Sequence, residues 1–146
     1  MEKEEHKKLG IEYFNKTWEY IDLNERTEEQ VLQMIHYAHA SILHWTLADG
    51  TDLNLARGEW LIAKVYNTLK IGESALMHGK ASLHLIEKNK YGDFDLVFAY
   101  EAISNAYKHL GNHQKMKIYL DLGYKALSGV PNENDKNYSK EELDKI

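Results

Sequence analysis

The segment "AHASILHWTLADGTDLNLARGEW", residues 38–60, gathers His39, His44, Trp45, Asn54, Arg57, Glu59 and Trp60 around one short polar turn. Glu59 falls on an otherwise apolar helical row with Leu55, Ile62, Tyr66 and Leu69. An unpaired buried carboxylate costs several kcal/mol, so Glu59 should have a cationic or hydrogen-bonding partner or stay partly wet. Arg57, two residues away, points about 200° round a helix, so the partner is expected from another helix, with His39, His44 and His78 as candidates. Trp45 and Trp60 flank the same turn and could form one wall of a groove, since accessible aromatic and arginine side chains concentrate binding energy. The competing reading makes both indoles core residues tied to nearby carbonyls.

Metal and catalytic patterns are sparse. His36 and His39, three apart, could chelate a metal if Glu59, Glu101 or His78 supplied a further ligand from another helix. The reading adopted is instead a pair of half-buried histidines hydrogen-bonded to a carbonyl or carboxylate, with no metal and no cofactor. The Glu-x-x-His spacing of di-metal bundles is absent, as is His-Glu-x-x-His. His109 and His113 flank Gly111 at an expected helix end and should not share a face, while His84 and Glu87 should face water. Gly72, Gly79 and Gly92 stand singly rather than in a phosphate loop, and without cysteine or a serine in a nucleophile elbow, covalent catalysis has no visible carrier. An acid–base pair of Glu59 and Glu101 stays open, so no catalytic residue is assigned.

A chain of 146 residues fits one domain. Folding at that size hides about 70% of the extended chain's surface, enough for a core without staples. The absence of cysteine suits a reducing compartment such as the cytoplasm. The start "MEKEEHKKLG" is charged where a signal peptide needs an apolar run, and nowhere do roughly 18 apolar residues follow one another, so no membrane association is expected. The net charge of −5, from 23 acidic and 18 basic side chains, disfavours nucleic acid. "KHLGNHQKMK", residues 108–117, is a local basic exception that reads as a solvated helix corner.

The elements that must position these residues read as helices, because one proline, Pro131, is present and breakers fall between stretches of 3.6-residue spacing. A first helix over about 6–23 carries Ile11, Phe14, Trp18 and Ile21 on one stripe. Thr27 with Gln30 forms a capping-box spacing for a second, running to about Ala48, with Val31, Ile35, Ala38, Ile42 and Trp45 inward and Leu32, His36, His39 and Leu43 beside them. Asp52 or Asn54 caps a third helix to about Leu69. A fourth starts near Glu73 with Ala75, His78, Ser82 and Leu85 inward and Gly79 beside them, small enough for close helix approach. Asp93 or Asp95 caps the fifth, which carries Leu96, Tyr100, Ile103, Tyr107 and Leu110, and Gly111 stops it. The sixth, about 112–127, buries Met116, Tyr119 or Leu120, Gly123 and Leu127. Residues 128–137 read as loop, and Ser139 with Glu142 starts a last short helix whose Leu143 and Ile146 clip the terminus to the body. The expected fold is all-α, a single helical domain over 1–146.

Laying Tyr66 on Tyr107 also aligns Val65 with Ala106, Leu69 with Leu110 and Ala75 with Met116, one constant offset between two helix-turn-helix units, about 54–90 and 94–128. Such units cannot bury their faces alone and stack on one another. In "EAISNAYKHLGNHQKMKIYL" the run "AYKHLGN" resembles the tetratricopeptide class of helical hairpins. Met116 stands where that repeat favours alanine, Lys70 where the first unit would want glycine, and no proline closes the unit near Ala126 or Leu127. The set "AHASILHW", "NLARGEW", "VYNTL" and "FAYEA" is also similar to an uncharacterised bacterial protein family, over roughly residues 30–127, which implies a helical fold and no assigned activity. The tetratricopeptide resemblance implies a protein or peptide interaction module, with a groove expected between the second, third and fifth helices. The alternatives are a small hydrolase or metal-binding protein using His36, His39, His78, Glu59 and Glu101, and a structural homodimer.

Overall fold

The computed structural model describes residues 1–146 and contains helices and turns only. In chain order these are α1 Lys3–Ile21, α2 Glu28–Leu47, α3 Asp52–Thr68, α4 Gly72–Lys88, α5 Asp93–His109, α6 His113–Ala126, a 3-10 turn Leu127–Gly129 and α7 Glu133–Asp144. None of the helices is long and apolar enough to cross a membrane.

Local chemistry sets the helix ends. Thr27 and Gln30 bond reciprocally in the expected capping box. A second box starts α3, but its cap is Thr51 rather than Asp52 or Asn54. Thr51 keeps the extended backbone that aims its hydroxyl at the Asn54 amide, whereas Asp52 and Asn54 already lie inside the first turn. At α5 neither aspartate caps: Gly92 holds that position, Asp93 takes a φ of 59° and reaches only the Phe94 amide, and Asp95 is engaged across the fold.

Four helices close in the same way. Asp49, Lys70, Lys90 and Gly111 adopt φ of 54°, 60°, 54° and 76° just past the ends of α2 to α5. The next amide of each, at Gly50, Ile71, Tyr91 and Asn112, bonds back to the carbonyls of Trp45, Tyr66, Ile86 and Tyr107. This Schellman geometry satisfies carbonyls that the helix leaves orphaned. Lys70 therefore occupies the left-handed turn that Gly111 fills in the following hairpin. The starts of α3 and α5, at Asp52 and Asp93, are offset by the same length of chain as those of α4 and α6, at Gly72 and His113.

Successive helices pack as antiparallel hairpins, α1 on α2, α3 on α4 and α5 on α6. Backbone contacts also run from α1 to α3, α3 to α5 and α5 to α7, whereas α2 and α4 meet through side chains such as His39 and His78 rather than through close backbones. The odd helices thus form a tight inner row and the even helices splay behind them. Small residues permit the close approach: a Cβ on Gly79 would meet Ile103 Cγ1 at 3.2 Å, and one on Gly58 would meet Ile42 Cγ1 at 2.8 Å.

Several expected burials shift for this reason. In α1 Ile11 is exposed, and Gly10 and Thr17 are buried instead, because Trp45 lies over Gly10 and the Ser41 hydroxyl donates to the Gly10 carbonyl. In α2 the inward positions are Met34, Ala38 and Ser41; Leu32, His36 and Leu43 face outward, since α1 and α3 cover the other side only. Ile86, not Leu85, is the buried residue near the end of α4. In α6 Gly123 alone is fully buried, because this outer helix has no further hairpin beyond it. Residues 128–137 are not simply loop: Asn132 caps α7, and Ser139 lies inside that helix, its hydroxyl donating to the Asp135 carbonyl rather than starting a new one. Leu143 does clip the terminus down, packed with Val97, Leu127 and Val130 against Gly123.

Lys70 accepts a backbone conformation that only glycine adopts without penalty. Lys70→Gly should therefore raise stability by roughly 0.5–1 kcal/mol, and Gly111→Ala should lower it by about 1 kcal/mol, read from urea midpoints at unchanged m.

Candidate functional site

The inner row places one aromatic ring from each odd helix in contact with the next. Trp18 of α1 lies 5.8 Å from Trp60 of α3, Trp60 stacks on Phe98 of α5 at 5.4 Å, and Phe98 meets Tyr138 of α7 edge-on at 6.0 Å, all between centroids. Each such pair contributes about 0.5–1.5 kcal/mol beyond the area it buries. The rings are not sealed in the core: Trp18, Trp60 and Phe98 are half-buried and Tyr138 is 50% exposed.

A cavity of about 220 Å³ opens among Phe94, Phe98, Asp135, Tyr138 and Ser139 at the α7 end of this ladder, and two more open toward its α1 end. One, of about 220 Å³, lies among Phe14, Ala56, Trp60, Ile86, Phe94 and Phe98, with Arg57 and Asp95 at its polar edge. The other, of about 200 Å³, is bounded by Ile11, Phe14, Asn15, Trp45, Asn54 and Arg57. Phe14 and Arg57 belong to both. Arg57 is fixed between them by a two-pronged pair with Asp95, Nε to Oδ1 at 2.9 Å and an η nitrogen to Oδ2 at 3.0 Å, and its guanidinium lies 5.4 Å from the Phe94 centroid. The groove therefore runs along α1, α3, α5 and α7. It does not lie between α2, α3 and α5 as expected, because α2 belongs to the rear row and contributes only Trp45 at one end.

The remaining expected residues separate into distinct clusters. Glu59 finds its partner on α4, accepting from or sharing a proton with His78 Nδ1 at 2.7 Å. His39 Nε2 pairs with the Tyr66 hydroxyl at 2.9 Å, and its ring meets His78 edge-on at 5.6 Å. Burial first, then His78, holds the His39 imidazole below its ordinary pKa. His44 belongs to the α1–α2 contact, its Nδ1 2.8 Å from Nδ1 of His6, and lines none of these cavities. Asn54 serves the α3 capping box as well as bounding the smaller cavity. Trp45 packs over Gly10, so it is a wall anchored to α1.

Of the side chains considered as a metal set, Glu59, His78 and His39 lie together, while His36 is exposed and Glu101 sits toward α7, and no three histidine or carboxylate side chains are arranged to hold an ion. Glu59 and Glu101 likewise serve different neighbours, His78 for one and the Lys64 side for the other, so they form no acid–base pair.

No protein-family model matches the chain, and neither a curated protein nor a solved structure matches it.

Glu101 is the most perturbed group in the molecule. It is 4% exposed, and Lys64, the cation acting on it most strongly, is paired with Glu142 instead. Burial pushes its pKa up to about 7, opposed by the Lys64 ammonium and reinforced by Glu142. The Trp60 indole N–H approaches and slightly favours the ionised form, but its geometry falls short of a hydrogen bond, leaving Nε1 buried without a partner.

Sequence reading singles out Arg57, Trp60 and Glu101 but misses Trp18 as a rung, and misses Phe98, Tyr138 and Asp95. One signal was available: Trp18, Trp60, Phe98 and Tyr138 recur at nearly even intervals, close to the hairpin offset.

Glu101 ionises near 4.5 when exposed and near 7 when folded. Between these values the unfolded chain has released a proton that the folded chain still holds, so stability falls as pH rises through that window and stays lower above it. The loss is on the order of 3 kcal/mol. Glu101→Gln should flatten the profile between pH 5 and 7 and raise stability at pH 8, measured by urea unfolding at each pH.

Proposed function

We propose that the chain is a tetratricopeptide-like hairpin array that holds an extended peptide or protein segment along its inner face and carries out no covalent chemistry there. The observation that carries this reading is the ladder Trp18–Trp60–Phe98–Tyr138, one ring per odd helix, left partly uncovered beside the two cavities its rings line. Rigid rings offer large contact area at small entropic cost, and arginine fixed by a carboxylate supplies an oriented polar edge. The apolar lining of the cavity beside Trp60 suits an aromatic or branched aliphatic side chain of the ligand, and the Arg57–Asp95 edge suits its backbone amide and carbonyl. The cysteine-free composition supports action in a reducing compartment such as the cytoplasm.

Selection of displayed random peptides on the purified protein tests this. Peptides bearing spaced aromatic or aliphatic residues should be enriched. Phe98→Ala and Tyr138→Ala should each weaken a selected peptide at least tenfold, about 1.4 kcal/mol, while circular dichroism stays unchanged. Recovery of no peptide, or of peptides indifferent to both substitutions, overturns the proposal.

A further inference from the structure

At the α7 end of the inner row a fourth cavity, of about 220 Å³, is lined by Lys64, Asn67 and Thr68 of α3, Glu101 and Asn105 of α5, and Glu142, Lys145 and Ile146 at the C-terminal end. Its polar groups are unevenly partnered. Lys145 and Lys64 are both drawn to Glu142, at 3.0 and 3.7 Å, so the two ammonium groups are occupied at the rim. Deeper in, Asn67 is 5% exposed; its side-chain amide donates to the Ala102 carbonyl, and its Oδ1 accepts from nothing. Glu101, equally buried, has the Trp60 indole N–H as the one donor that approaches its carboxyl group. The Glu101 carboxyl in this lining has neither ammonium group bonded to it, and the unpartnered Asn67 oxygen is buried in the same wall, so the cradle lacks a donor. Buried acceptors left unpaired are costly, so a site of this kind selects a group bringing several N–H donors.

We propose that this well takes a primary alkylammonium group, with Glu101 as counter-ion and the Asn67 side-chain oxygen as second acceptor. The inference rests on the groove reading above and deepens it: Trp60 is a rung of the ladder and also presents its indole edge to Glu101, so a lysyl side chain of a groove-bound segment reaches the well without leaving the ladder. A free alkylamine carries the same group and enters the same well without touching the ladder. Binding an ammonium requires the carboxylate, so the Glu101 proton leaves to solvent as the ligand enters. The groups facing Glu101 are Lys64 and Trp60 from α3, Tyr138 and Glu142 from α7, and Lys145 just past its end. Tyr138 and Lys145 are both pushed upward, Tyr138 first by burial and Lys145 first by its bond to Glu142, which moves them away from neutral pH.

Amide and indole NMR spectra of the full chain test this with four probes: butylammonium chloride, sodium butyrate, acetyl-Phe-Lys-Phe-amide, and the same peptide with norleucine for lysine. Butylammonium and the lysine peptide should shift the Trp60 indole resonance, and butyrate should not. The lysine peptide should bind about tenfold more weakly at pH 6 than at pH 8, as the ionised fraction of a group titrating near 7 falls. Glu101→Gln, with helicity checked by circular dichroism, should abolish that pH dependence and weaken binding at pH 8. A shift with butyrate but not butylammonium, equal binding of lysine and norleucine peptides, pH-independent binding, or no shift with any probe overturns the well. Equal norleucine binding leaves the ladder standing. A lysine peptide that binds no better than butylammonium instead removes the ladder and leaves the well.

Discussion

Trp60 is where the constraints on this fold meet. One face of its indole stacks on Phe98 and the other side of the ring system meets Trp18, so a single α3 side chain ties the first hairpin to the third. Such contact requires the odd helices to lie close, and they do so because the even helices carry the bulk of the separation behind them. Placing an indole at that junction has a cost that is visible in the structure: its N–H is buried with no partner, beside a carboxyl group to which no ammonium is bonded. A core optimised only for stability would satisfy or remove both. Trp60 lines one cavity and Glu101 another, so the two lie between neighbouring hollows of the inner row.

The same logic governs the polar residues nearby. Arg57 and Asp95 neutralise each other across α3 and α5, and Glu59 and His78 are hydrogen-bonded across α3 and α4. These pairs lock neighbouring helices in register. The Glu101 carboxyl stands apart from that pattern because its potential partners are already committed to Glu142.

Much of the architecture was legible in the chain. The 3.6-residue spacing gave seven helices in the right order, the Thr27–Gln30 box marked a helix start, and the offset from Tyr66 to Tyr107 matched the spacing of the two hairpins. The need of Glu59 for a partner on another helix left His39, His44 and His78 as candidates, and the packing of α4 on α3 selects His78. Inner and outer faces were less legible. Ile11, Leu32 and Leu43 look like core by composition, yet close helix approach at Gly10 and Ser41 turned those positions outward. The start of α7 was misplaced for a related reason, since two serviceable caps, Asn132 and Ser139, lie close together in the chain and only packing of Val130 and Leu143 chooses between them. The ladder itself depends on side chains separated by a whole hairpin of sequence meeting in space, which no local pattern specifies.

The inner-face account is tested most directly by mapping a selected peptide onto the protein through the aromatic and methyl resonances of the whole chain. Perturbations confined to Trp18, Trp60, Phe98 and Tyr138 and their immediate neighbours are the predicted result. Perturbations centred on the outward side chains of the rear row, such as Leu32, Leu43 and Met77, with the four rings unmoved, would contradict it.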